Sequence, residues 1–149
     1  MEIRITITTF YNVRNLKPHT IPVSTALWDP KWFHDKTQPG AVYIDKRGII
    51  NGLRYESFAP GAQCHNLCHG QPCAQNPNSC MFLRQYAAQL ARLDFGRTIA
   101  ELRQMARAVD TQACEVALLV YEKPNNPCSE RVALCEWFTA HGLTLEEAI

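Results

Sequence analysis

Ile3, Ile5 and Ile7 alternate with Arg4, Thr6 and Thr8, and this period of two predicts a strand with one buried face at the start of the chain. Residues 19 to 27, HTIPVSTAL, read as a second strand, a reading that Pro22 weakens because proline has no N–H for a ladder and prefers a sheet edge or a strand start. The loop over residues 28 to 40 is punctuated by Pro30 and Pro39-Gly40; Ala41 to Ile44 then forms a short strand that closes on a turn at Lys46-Arg47-Gly48. From Glu56 to Ser79 no period is sustained. Two helices follow. Leu83, Tyr86, Ala87 and Leu90 make one apolar stripe in the first. In the second, Thr98 and Glu101 read as a capping box ahead of Ile99, Leu102, Met105, Ala106 and Val109. The unbroken apolar run from Glu115 to Tyr121 predicts a strand covered on both faces, as at the centre of a parallel sheet. A helix from about Ser129 to before Gly142 comes next, then a short last helix with Thr144 and Glu147 as its capping box. The expected fold is α/β: a single domain over residues 1–149, with a small mostly parallel sheet, helices packed on it, and a cysteine-rich insertion loop at about 56–80.

Composition sets bounds on this picture. The chain has 149 residues, enough for one real core, and its 46% apolar and 19% charged residues are globular rather than disordered values. Net charge is +1, which removes the bulk argument for a nucleic-acid partner, although a local basic patch on the helices (Arg84, Arg92, Arg97, Arg103, Arg107) is the place where one would bind. The opening MEIRITITTF alternates in polarity and is no signal peptide, and no window is apolar enough to span a membrane, so the expected compartment is the cytoplasm.

In that reducing compartment the crowding of four cysteines points to metal. Cys64, Cys68, Cys73 and Cys80 follow the pattern C-x3-C-x4-C-x6-C, with His65 and His69 interleaved as substitute ligands. Thiolate and imidazole are the donors that tetrahedral zinc takes, and four protein ligands leave no position for water, so the expected ion is a structural Zn. Binding worth roughly 10–16 kcal/mol orders a proline-broken loop of this kind. An iron–sulfur cluster is the alternative, and disulfides or plain thiols remain open.

The second candidate site is the strand–loop–helix around residues 122–131. A helix start beyond the carboxyl end of a buried strand offers unpaired N–H groups and partial positive charge to an anion. Glu122, Ser129 and Arg131 are the expected ligand-binding residues there, with Trp32 from the aromatic loop of Trp28, Trp32, Phe33 and His34 stacking a base. The same aromatics equally suit a satellite core. Cys128, at the helix start, is the candidate catalytic nucleophile. Cys114 and Cys135 read as small core residues, and His19 and His141 as isolated.

Three blocks carry a family resemblance. They are TTFYNVRNLKPHTIPVSTALWDPKWF; FAPGAQ with CMFLRQYAAQLARLDF; and EVALLVYEKPNNPCSERVALCEWF. Together they resemble the bacterial and archaeal family known as domain of unknown function 488. The resemblance implies a compact α/β sheet fold and leaves activity open. Counting back from Trp137, Arg131 falls on the family's arginine, Glu130 stands where the family has histidine, and Cys128 lies one residue early. The expected function is that of a zinc-stabilised domain binding a small anionic ligand, a nucleotide or phosphate. The alternatives are an enzyme using Cys128 and a nucleic-acid or protein interaction module.

Overall fold

The structure is a computed structural model and describes residues 2–33, 52–61, 80–122 and 129–149. Strands β1 (Arg4–Thr9), β2 (Thr20–Ser24), β3 (Leu53–Arg54), β4 (Glu115–Val120) and β5 (Glu146–Glu147) form one sheet in the order β3-β2-β4-β1-β5, and every pairing is parallel. Helices α1 (Met81–Ala91), α2 (Phe95–Val109) and α3 (Glu130–Ala140), with short 3-10 helices at Phe10–Asn15, Lys31–Phe33 and Glu56–Phe58, complete the described elements. The expected α/β class and parallel sheet are therefore present. The expected strand at Ala41–Ile44 and most of the cysteine loop lie outside the described residues.

Register explains the core. Ile5 and Ile21 both sit beside Val116, and Ile7 and Val23 beside Leu118, so these six side chains share one face. They pack with Leu83, Tyr86 and Leu90 of α1, Ile99 and Leu102 of α2, and Trp137 and Phe138 of α3 in one continuous core. Each large side chain so buried contributes roughly 1.5–3 kcal/mol. The opposite face carries Thr6, Thr8, Ser24, Ala117 and Leu119, all buried. Thr6 there donates to Glu115 at 2.9 Å, and Thr8 accepts from Asn12 at 3.0 Å. Phe10, Val13, Ala26 and Phe33 close over Leu119 on that side.

β4 has neighbours on both sides and is buried throughout, as its apolar run requires. β2 is internal, contrary to the edge position that Pro22 suggests. The main chain of His19 and of Thr25 bonds towards β4, so Pro22, in the alternate phase, faces the β3 side. β3 pairs only with Val23 and Ser24, so the missing N–H breaks no ladder there.

Three other expectations are corrected. α2 begins a turn earlier than the Thr98–Glu101 box: its N-cap is Asp94, whose carboxylate accepts from the Arg97 N–H at 2.9 Å, and Thr98 is an interior, buried residue. Ala87 is exposed, so the stripe of α1 is Leu83, Tyr86 and Leu90. The terminal Thr144–Glu147 segment is not a helix, and its last two residues, Glu146–Glu147, are the strand β5. β5 adds to the edge of β1, the Ala148 N–H bonds Ile7 at 2.9 Å, and Glu146 pairs with Arg4 at 2.9 Å. What precedes it is a glycine stop. Gly142 has φ +83°, and the N–H groups of Gly142 and Leu143 bond the carbonyls of Thr139 and Phe138, which turns the chain out of α3 towards the sheet.

No helix among the described residues is long and apolar enough to cross a membrane.

Candidate functional site

Open parallel sheets present ligand sites beyond the carboxyl ends of their strands. In this chain β2 runs out into Thr25, Ala26, Leu27 and Trp28, and β4 into Tyr121 and Glu122. A cavity of about 150 Å³ lies there, lined by Ala26, Leu27, Trp28, Pro60, Phe82, Tyr121, Glu122 and Glu130. At roughly 30 Å³ per water this is room for about five waters, or for one small ring.

Its floor is acidic and dry. Burial pushes the Glu130 carboxyl well above the ordinary range, the neighbouring Glu122 charge pushes it the same way, and the Thr25 hydroxyl opposes both. That hydroxyl lies 3.0 Å from Glu130 and 2.9 Å from the Leu119 carbonyl, and its single hydrogen serves one acceptor at a time. Burial also raises Glu122, against the pull of its own backbone N–H and of Arg131. The Tyr121 hydroxyl donates to the Trp28 carbonyl at 2.8 Å, and burial together with Asp29 and Tyr11 pushes its pKa up to about 12. The cavity therefore holds two carboxyl groups biased towards the acid form, beside aromatic walls.

The start of α3 borders this cavity. Ser129 is the N-cap by position, yet its hydroxyl makes no capping bond. Among the described residues, Ser129 Oγ, Arg131 Nη2 and Glu122 Oε2 are buried polar atoms without a hydrogen-bond partner. Groups so placed are rare in folded proteins and call for an explanation. The rest of the Arg131 guanidinium is engaged: Nε donates to the Glu122 carbonyl at 3.2 Å, and Nη1 pairs with Glu147 of β5. Arg131 thus ties α3 to the sheet edge and keeps one nitrogen in reserve.

A second polar network stiffens the β2 side. Asp29 accepts from Ser24 and pairs with Arg54, which also donates to the Ala26 carbonyl at 2.9 Å and pairs with Glu56 at 3.0 Å. This clamps the turn that carries Trp28, whose side chain is 65% exposed at the cavity.

Of the expected ligand-binding residues, Arg131 and Glu122 are in contact through the Glu122 carbonyl, and Ser129 stands at the N-cap of the same helix. Trp32 does not join them: it packs edge-on to Phe10 and Phe33, with Arg14 5.3 Å over its ring, in the satellite cluster. Trp28 is the aromatic at the cavity. Cys128, Cys64, Cys68, Cys73, His34, His65 and His69 lie outside the described residues. Cys80 is described and is a free, buried residue just before α1. Among the described residues no three His, Cys, Asp or Glu side chains converge as for a metal ion. Neither histidine expected to be isolated is so: His19 bonds Asp110 at 2.7 Å, and His141 stacks on Phe95 at 4.6 Å. Cys135 packs against the core, whereas Cys114 lies near the His19 carbonyl at 3.7 Å. On the arginine face, Arg97 pairs with Glu101 and Arg103 with Glu2.

Glu130, Thr25 and Tyr121 are the site residues that the sequence does not single out, and Trp28, read only as one of the aromatic loop, takes the place expected of Trp32. An acid in the first turn of a helix ordinarily faces solvent, so nothing local marks Glu130 as buried. Comparison of the chain with protein-family models, with curated proteins and with solved structures finds no match in any of the three.

Proposed function

We propose that this chain is a ligand-binding α/β domain that takes a small molecule with an acidic group, a nucleotide or other phosphate compound, where β4 gives way to α3. The observation that supports this reading is the pair of buried donors Ser129 Oγ and Arg131 Nη2, both without a partner among the described residues, at the start of an eleven-residue helix. Donors already stripped of water, next to the positive end of a helix, favour a bound anion and lose nothing when one arrives. The test is calorimetric titration with inorganic phosphate, ribose 5-phosphate and nucleoside monophosphates. Binding weakened by Ser129→Ala is the expected result, and absence of heat with every probe refutes the reading. The resemblance to the domain of unknown function 488 family belongs to the same proposal and favours the fold more than any activity.

We propose in addition that Cys64, Cys68, Cys73 and Cys80 hold a structural zinc ion, with an iron–sulfur cluster as the alternative. Support comes from the spacing of the four thiols and from Cys80, which stands at the start of α1 with its side chain buried and no capping bond to satisfy it. Native mass spectrometry with elemental analysis separates zinc, iron and no metal, and Cys80→Ser should abolish whatever stoichiometry is found.

A further inference from the structure

Resting on the ligand reading above, we infer that the cavity between Trp28, Phe82, Tyr121, Glu122 and Glu130 seats the heterocycle of that ligand, an amino-bearing nucleobase whose N–H donors meet the carboxyl groups. The inference starts from an unmet need. Glu122 Oε2 is a buried acceptor without a donor among the described residues. Leaving such a group unpaired costs about 1–3 kcal/mol, and in either protonation state the carboxyl keeps an acceptor oxygen that a ligand N–H can satisfy. Glu130, the second carboxyl of the lining, is 5% exposed and is braced by Thr25, so its position is set before any ligand binds.

The walls supply the other half of the argument. Trp28, Phe82 and Tyr121 line the same cavity, and its volume of about 150 Å³ admits one ring system rather than a whole dinucleotide. Flat aromatic walls with hydrogen-bonding groups at one end select a planar ring that stacks and reads by its edge. Arg131 bridges the two halves, since its Nε is 3.2 Å from the Glu122 carbonyl while its free Nη2 stays at the helix start. Ser129 and Arg131 flank Glu130 of the cavity lining in the chain, and the phosphate of a base-bearing ligand is assigned to them. Two carboxyls with no third ligand among the described residues do not make a cation site.

Three classes of probe, titrated into the full chain, separate this inference from the reading beneath it. Ribose 5-phosphate tests the acidic group alone, nucleosides test the ring alone, and nucleoside monophosphates test both. Adenosine, cytidine and guanosine should bind without phosphate, and more tightly than uridine and thymidine, which bring a single ring N–H to the two carboxyl groups instead of an amino group. Trp28→Ala keeps the carbonyl that Tyr121 bonds, removes an exposed ring, and should weaken nucleosides by roughly tenfold or more while leaving ribose 5-phosphate unchanged. Glu122→Gln should erase the preference for amino-bearing bases. If ribose 5-phosphate binds and no nucleoside does, the inference falls and the acidic-group reading stands. If nucleosides bind and phosphate adds nothing, the acidic-group reading falls and the inference stands. Silence from every probe overturns both, and equal competition by methylamine overturns the choice of a heterocycle.

Discussion

Glu130→Gln isolates the cost of burying an acid beneath the cavity. The Glu130 carboxyl is held well above its ordinary value of 4.5, chiefly by burial and next by Glu122. Its folded form therefore binds a proton more tightly than its unfolded form, and the sign of the linkage follows: the stabilising contribution is complete below about pH 4.5 and is lost as pH rises through the folded value. Once the unfolded carboxyl is fully ionised, one retained proton gives a slope of about 1.4 kcal/mol per pH unit. For a chain of this length that is a fall of roughly 3–5 °C in Tm per pH unit. Glutamine preserves the shape and the approach to Thr25 but cannot ionise. Thermal melts of both proteins from pH 4.5 to 8 should coincide at the acid end and diverge upwards, with Glu130→Gln the more stable at pH 8. Glu122 is raised in the same direction and leaves a residual slope in the single variant, which Glu122→Gln/Glu130→Gln removes. The His19–Asp110 contact lowers Asp110, whose contribution is lost only as pH falls through a region below 3.8, outside this window. Parallel melts for wild type and Glu130→Gln would refute the reasoning, and a large loss at pH 4.5 would show that glutamine disturbs packing instead.

Gly52→Ala should destabilise by about 1–3 kcal/mol, because a Cβ built on Gly52 overlaps the ring of the wholly buried Phe33; chemical denaturation measures it, and a neutral result means Phe33 can shift. Glu147→Gln removes the partner of a guanidinium that is 6% exposed and should cost about 2 kcal/mol, whereas a surface-like loss of a few tenths in the same assay would deny that Arg131 anchors β5. Asp94→Ala should cost about 1 kcal/mol of stability through the lost cap of α2, and a null effect on urea unfolding would return the helix start to Thr98.

Local pattern was sufficient wherever burial and period agree. The Ile3-Ile5-Ile7 alternation marks β1 with its helix-facing side, and the apolar run marks β4 as the middle strand, since only a strand buried on both faces tolerates such a run. The glycine stop of α3 and the junction of Glu122, Ser129 and Arg131 follow equally from neighbours in the chain. Other features depend on partners far along the chain. Thr144-x-x-Glu147 has the residues of a capping box, yet β1 offers an unpaired edge and Arg131 a buried charge, and together these draw Glu147 into a strand. Glu130 has the composition of a solvated first-turn acid, and only the packing of α3 against the ends of β2 and β4 dries it. Hydrophobic periodicity and turn chemistry are properties of a few consecutive residues, so the sequence alone determines the elements. Desolvation is a property of whatever the fold brings on top, so the acidity of the cavity, the choice of Trp28 over Trp32 and the strand at the terminus were decided by tertiary structure.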